Sequence, residues 1–126
     1  MKPMAAKPRL PSDLALLLLF TLVVRVAVLF FLPGALADDP DGYRGLARNL
    51  IEHGTFGEGD RPTAFRPPLY PLALVPCVAL GEPRATWAIG GLHVGLGMAM
   101  VALAWWIGRR CGLGRWAWVA GALIAC

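Results

Sequence analysis

The sequence predicts an all-α, multi-pass membrane protein whose first outer loop carries its own amphipathic helix. Three observations predict it. The chain is 57% apolar and 16% charged, with a mean hydropathy of +0.59, too oily for an ordinary soluble domain. Two apolar runs, 14–32 and 85–107, are each long enough to cross a hydrocarbon core of about 30 Å at about 1.5 Å per residue. Between them, residues 33–84 gather most of the acids, Asp38, Asp39, Asp41, Glu52, Glu58 and Asp60, together with Arg44, Arg48, Arg61 and Arg66.

Residues 1–13 form a basic lead with Lys2, Lys7 and Arg9, and 14–32 is the first span, interrupted by Arg25. A charge near mid-span costs about 2.5–3.5 kcal/mol on insertion scales, so Arg25 calls for a partner on another helix. Basic residues, an apolar run and Ala35-Leu36-Ala37 also resemble a signal peptide, but the run is longer than such segments and contains an arginine. Arg109, Arg110 and Arg115 follow the second span. The positive-inside rule therefore puts both ends in the cytoplasm and the loop 33–84 outside.

Within the loop, Tyr43, Leu46, Ala47, Leu50 and Ile51 recur at helical spacing, predicting an amphipathic helix over about 40–53 that lies flat on the outer leaflet, with Arg44 and Arg48 on another face. Asp39 suits its N-cap, Pro40 its first position and Gly54 its left-handed stop. Gly57, Gly59 and Pro62 mark a flexible connector, and Arg66-Pro67-Pro68 enforces an extended entry to the next block. That block, 69–80, contains Pro71 and Pro76 and is too short to cross; it predicts a second interfacial helix, followed by a tight turn into the span 85–107.

Gly91 and Gly95 form a G-x-x-x-G that predicts close helix packing, and the tryptophans Trp87, Trp105, Trp106, Trp116 and Trp118 suit interface belts. Residues 108–115 form a cytoplasmic turn, and 116–126 begin a third span of about half the ~20 residues required, as in an N-terminal fragment of a longer protein. No basic face with interleaved aromatics argues for nucleic acid, and the cysteines supply neither a disulfide framework nor a C-x-x-C site. His53 and His93 lie too far apart in sequence to suggest a metal cluster.

A loop of acids, arginines and aromatics pinned on both sides to a bilayer is where a membrane enzyme would meet a lipid-borne substrate, which makes it the candidate active site. A hydroxyl nucleophile needs a carboxylate to take its proton, and an anionic group needs cationic donors. Asp39 and Asp41 are the candidate catalytic acids, Arg66, Arg61, Arg44 and Arg48 the candidate donor-phosphate ligands, and Tyr43 and Tyr70 the candidate substrate-binding aromatics. Asp39 before Pro40 is equally a stock helix cap. Asp39-Pro40-Asp41 also spells D-x-D, whose spacing allows a divalent metal bridging both acids to a phosphate, though chance produces it often; no other cofactor is called for.

Asp39 four residues before Tyr43, then Ala47, Arg48, Asn49, Leu50 and Gly54, then Arg66, Pro67 and Pro68 before an apolar segment, together resemble the membrane-embedded glycosyltransferases that use polyprenyl-phosphate sugars. These have the GT-C fold and include the protein mannosyltransferases and the aminoarabinose transferases of lipid A. The resemblance implies an inverting transfer, outside the cell (inner) membrane, from a polyprenyl-phosphate sugar to a lipid, glycan or protein acceptor, with the fragment inactive alone. It assigns the acid to Asp39 and the phosphate-binding cation to Arg66. Where the family often has a second acid directly after the first, this chain has Pro40, so that role passes to Asp41. The alternatives are a lipid or sugar transporter with flippase-like character and a non-enzymatic membrane scaffold. Paired charges near the bilayer midplane distinguish the first from an enzyme, whose charges gather in one outer loop.

Overall fold

The computed structural model of the protein describes residues 11–31, 34 and 38–125. Lys2, Lys7, Arg9, the Ala35-Leu36-Ala37 segment and Cys126 lie outside them. Among the described residues the protein is mostly helical: α1 (Ser12–Phe31), α2 (Tyr43–His53), a hairpin of β1 (Gly57–Glu58) and β2 (Arg61–Pro62), α3 (Leu69–Val78), α4 (Arg84–Arg110), a 3-10 turn (Gly114–Trp116) and α5 (Ala117–Ala125). Two compact units result, one of residues 28–93 and one of residues 1–27 with 94–126.

Two helices, α1 and α4, are long and apolar enough to cross a membrane, and only 17% and 22% of their apolar windows are buried inside the protein. Leu16, Leu19, Val23, Phe30 and Phe31 of α1 all face outward. In the unit of the chain ends, Leu14, Leu17, Val101, Trp105, Ala117 and Ala125 form the core. Trp105 donates its indole N–H to Asp13 at 3.0 Å. Glycines make the helix approaches: a Cβ on Gly121 would overlap Leu17, one on Gly108 would press on Ala117 at 3.2 Å, and one on Gly97 would overlap the Arg25 guanidinium. By contrast, a Cβ on Gly91 or Gly95 meets nothing within 4 Å, so the packing expected of that G-x-x-x-G is made at Gly97, Gly108 and Gly121 instead. Among the described residues, buried Arg25 Nε has no hydrogen-bond partner, so the partner expected for this charge is not found there.

The unit of residues 28–93 is built on α2. This helix begins at Tyr43, three residues later than the periodicity suggests, because Asp39 to Gly42 form a turn closed by the Gly42 N–H donating to the Asp39 carbonyl at 3.0 Å. Pro40 occupies the second turn position, where its fixed φ fits, and Gly42 takes the left-handed φ of 71°. Gly54 stops the helix at φ 67°, its N–H donating to the Leu50 carbonyl.

The apolar stripe of α2 does not all face lipid. Ala47 is fully buried against Leu74 of α3 and Ile89 of α4, with Tyr43 and Tyr70 packed alongside, whereas Ile51 at the far end is 45% exposed. Burying Leu74 and Ile89 contributes about 1.5–3 kcal/mol each. Helix α3 tolerates Pro71 because the first turn leaves its N–H groups unbonded within the helix, and it ends at Val78, two residues earlier than expected.

The expected flexible connector is an ordered hairpin. Gly57 pairs with Pro62 and Glu58 with Arg61, and the Thr63 N–H donates to the Phe56 carbonyl at 2.8 Å. A side chain at Gly57 would overlap the Arg61 carbonyl, so the glycine is obligatory there. Asn49 holds the hairpin to α2: its amide N–H groups donate to the carbonyls of Thr55 (2.8 Å) and Gly59 (2.9 Å), and its oxygen accepts the Gly59 N–H (2.8 Å). Asn49→Ala should therefore release the hairpin at a cost of roughly 1–3 kcal/mol, the penalty for leaving such partners unsatisfied. Amide exchange at Gly59 and Thr63 measures it, and unchanged protection in the variant would show that Asn49 is not the clamp.

Candidate functional site

The turn at Asp39 aims the acids. Its carboxylate accepts the N–H of Arg44 on Oδ1 (3.2 Å) and of Gly45 on Oδ2 (3.0 Å), capping α2 from outside the first turn. Both N–H groups are among those a helix start leaves unbonded. Gly42, not Asp39, is the N-cap residue, but Asp39 still takes two N–H groups of the first turn, and the same bonds fix the direction of the carboxylate.

Asp39, Asp41, Tyr43, Tyr70 and His93 line one cavity of about 180 Å³, floored by Leu74 and Ile89. Tyr43 meets Tyr70 edge-on with ring centroids 5.1 Å apart, and the Tyr70 hydroxyl lies 2.6 Å from His93 Nε2. Burial, and then the nearby Asp39 carboxylate, push the Tyr70 hydroxyl above its usual ionisation range, with Arg44 opposing.

Asp41 also borders a second, larger groove of about 580 Å³ that holds Arg61, Arg66, Asn49 and Phe65. Arg66 lies 3.7 Å from Asp41 and rests over the rings of Tyr43 (5.5 Å) and Phe65 (5.2 Å). Its partner Asp41 has a side chain 62% exposed, and ion pairs of that kind contribute about 0–1 kcal/mol. An incoming phosphate can therefore compete for Arg66 at little cost.

Arg44 differs. Its side chain is 13% exposed, donates to the Thr86 hydroxyl at 2.9 Å and lies 3.7 Å from Glu82, whose other oxygen accepts the Thr86 hydroxyl at 2.8 Å. This ties α2 to the start of α4. Exposed Arg48 borders the same cleft of about 410 Å³. The four candidate phosphate ligands therefore divide into two pairs: Arg61 with Arg66 beside Asp41, and Arg44 with Arg48 on the far side of Asp39.

Sequence reasoning weighed His93 only as a metal ligand, used Asn49 only in the family resemblance and gave Glu82 and Thr86 no role at the site. A signal for His93 was present, since Ala85, Ile89 and His93 recur every four residues and share the face on which Ala85 and Ile89 are buried. Glu82 and Thr86 stand one turn apart with no such pattern. Among the described residues no group of three or more His, Cys, Asp or Glu side chains has metal-holding geometry, so the D-x-D pair gains no third such ligand among them.

Comparison with known proteins adds no relative: no family model, curated protein or solved structure matches the chain.

The raised ionisation of Tyr70 has a definite sign. The folded state holds the phenolic proton more tightly than the unfolded chain, so this contribution is fully present below about pH 10 and is lost as pH rises through the folded value. Thermal unfolding in micelles between about pH 9 and about pH 11 should show stability falling with pH, and Tyr70→Phe should flatten that slope. An equal slope in both proteins would remove Tyr70 as its source.

Proposed function

We propose that this chain carries the outer-face site of a multi-pass, inverting glycosyltransferase that takes a sugar from a polyprenyl-phosphate donor. The observation that carries the reading is the junction at Asp41, where a cavity containing Asp39 and both tyrosines meets a groove containing Arg61 and Arg66. The groove, at about 580 Å³, falls within the roughly 300–1,000 Å³ of ligand pockets, so the donor belongs there and the smaller cavity admits the attacking hydroxyl.

In this reaction the acceptor oxygen forms a bond to the anomeric carbon as the bond from that carbon to the phosphate oxygen breaks. The electron pair leaves with the polyprenyl phosphate, whose charge Arg66 and Arg61 stabilise. The acceptor's proton passes to Asp39, whose free lone pairs lie beside those used by the Arg44 and Gly45 N–H groups. Asp41 releases Arg66 to the phosphate. The exposed apolar side chain of Phe65 in the groove, with exposed Leu69 and Leu72 following in α3, suits contact with the lipid surface from which such a donor arrives. A non-enzymatic scaffold is the second reading, favoured by the internal partners already engaged by Asp39, Arg44 and Arg66.

Topology is the first test. An impermeant thiol reagent applied to intact cells should label Glu58→Cys, while exposed Cys111 in the turn after α4 should react only after permeabilisation. The reverse pattern would overturn the orientation on which the reading depends.

Kinetics in membranes separate enzyme from scaffold. In the full-length enzyme, Arg66→Ala should weaken donor use by about 2–5 kcal/mol, with partial recovery in Arg66→Lys, which keeps the charge and loses the fork. Asp39→Asn retains one of the two capping oxygens and so costs about 1 kcal/mol of stability, yet transfer should fall by about 10²- to 10⁴-fold. Near-normal transfer in both variants would remove Arg66 and Asp39 from the site, and an absence of transfer by the full-length protein would leave the scaffold reading standing.

A further inference from the structure

The contact between Tyr70 and His93 is not explained by packing alone. Besides the 2.6 Å approach of hydroxyl to Nε2, the two rings stack at 17° with centroids 5.9 Å apart, so the partners are held in line. A phenol has one hydrogen to give and lone pairs to receive. When His93 carries its ring proton on Nδ1, Nε2 takes the Tyr70 hydrogen, leaving the phenol oxygen only its lone pairs to offer the cavity. The Asp39 carboxylate on the same cavity likewise only accepts.

We propose that His93 is a positioning residue which, by accepting the Tyr70 hydroxyl, makes the Tyr70 oxygen a hydrogen-bond acceptor beside Asp39, so that the cavity selects a ligand offering a hydroxyl donor. The inference rests on the transferase reading and names the group this cavity takes: the attacking alcohol, not the donor phosphate. Asp38, Asp39 and Asp41 all face the cavity, and its one arginine, Arg44, is engaged by Thr86 and Glu82, which disfavours an anion.

Protonation reverses the arrangement. A charged His93 donates from Nε2 to the Tyr70 oxygen, and the phenolic hydrogen turns to the cavity, which then reads an acceptor. The groups facing this pair include Asp38, Asp39 and Asp41 from the turn, Tyr43 and Arg44 from α2 and Cys77 from α3. Ile89, on the α4 face with His93, is apolar.

The test uses the whole 126-residue chain in lipid nanodiscs, labelled at histidine and tyrosine for NMR. With two histidines and two tyrosines in the sequence, His53→Gln and Tyr43→Phe leave one signal of each kind. At neutral pH the His93 ring should show the Nδ1–H tautomer, and Tyr70→Phe should shift its Nε2 resonance. Glycerol, a neutral triol small enough for the cavity, should perturb both signals at concentrations roughly 3- to 10-fold lower than 1,2,3-trimethoxypropane, which has the same skeleton without O–H donors. His93→Gln keeps an acceptor oxygen and should retain the glycerol response at Tyr70 without its acid-side loss, whereas His93→Leu should abolish the preference.

An Nε2–H tautomer at neutral pH, or equal responses to the two probes in the parent protein, would overturn the proposal. If both probe results hold while the full-length protein that carries this loop fails to transfer sugar from any polyprenyl-phosphate donor, the transferase reading falls and the positioning role of His93 stands.

Discussion

The candidate site depends on one close approach, that of α2 to α3 and the start of α4 at Ala47. A residue of this size lets Leu74 and Ile89 seal against the α2 backbone, and all three are at most 3% exposed. That contact decides which face of α2 is covered. Tyr43, one turn earlier on the same face, is then carried against Tyr70, and Tyr70 against His93. A larger side chain at Ala47 would push the helices apart, and overpacking of this kind costs about 1–3 kcal/mol. The cavity wall would move with them.

Charge is distributed around this core with a consistent logic. Arg44, nearly buried, has a short hydrogen bond to Thr86 and an acid in Glu82, as a low-dielectric site requires. Its loss would leave the Glu82 and Thr86 pair without its cation. Arg66 sits in a more open groove over two aromatic rings, where the attraction of a guanidinium for ring faces contributes about 0.5–1 kcal/mol without consuming its hydrogen-bond donors. The same residue type thus serves as a fastening in one position and as a more open, weakly paired cation in the other. Burial and partner strength separate the two.

Much of the helical framework was legible in the residues. Spans near 14–32 and 85–107 correspond to α1 and α4, and the two loop helices to α2 and α3, because hydropathy and helical periodicity are local properties of the chain. The boundaries that moved did so for identifiable reasons. The Asp39–Gly42 turn competed with the helix for its first residues, and Arg109 and Arg110 extend α4 by stacking on Trp105 and Trp106. The hairpin at residues 57–62 was illegible from propensity, since strands this short carry no alternation; Asn49 and the missing side chain of Gly57 hold it.

The sequence by itself determined that the chain is helical and oily and that its acids and arginines concentrate between two long apolar segments. Each of these follows from residue type and near-neighbour order. Only the tertiary structure decided how those charges are grouped: Asp39 with the α2 N–H groups, Arg44 with Glu82 and Thr86, and Arg66 with Asp41. It alone brought His93, twenty-three positions from Tyr70, to that hydroxyl. Such pairings depend on the angle at which α2 and α3 meet α4. That angle is set by the fit of Ala47, Leu74 and Ile89, a property of three surfaces in contact that is carried by none of the segments singly.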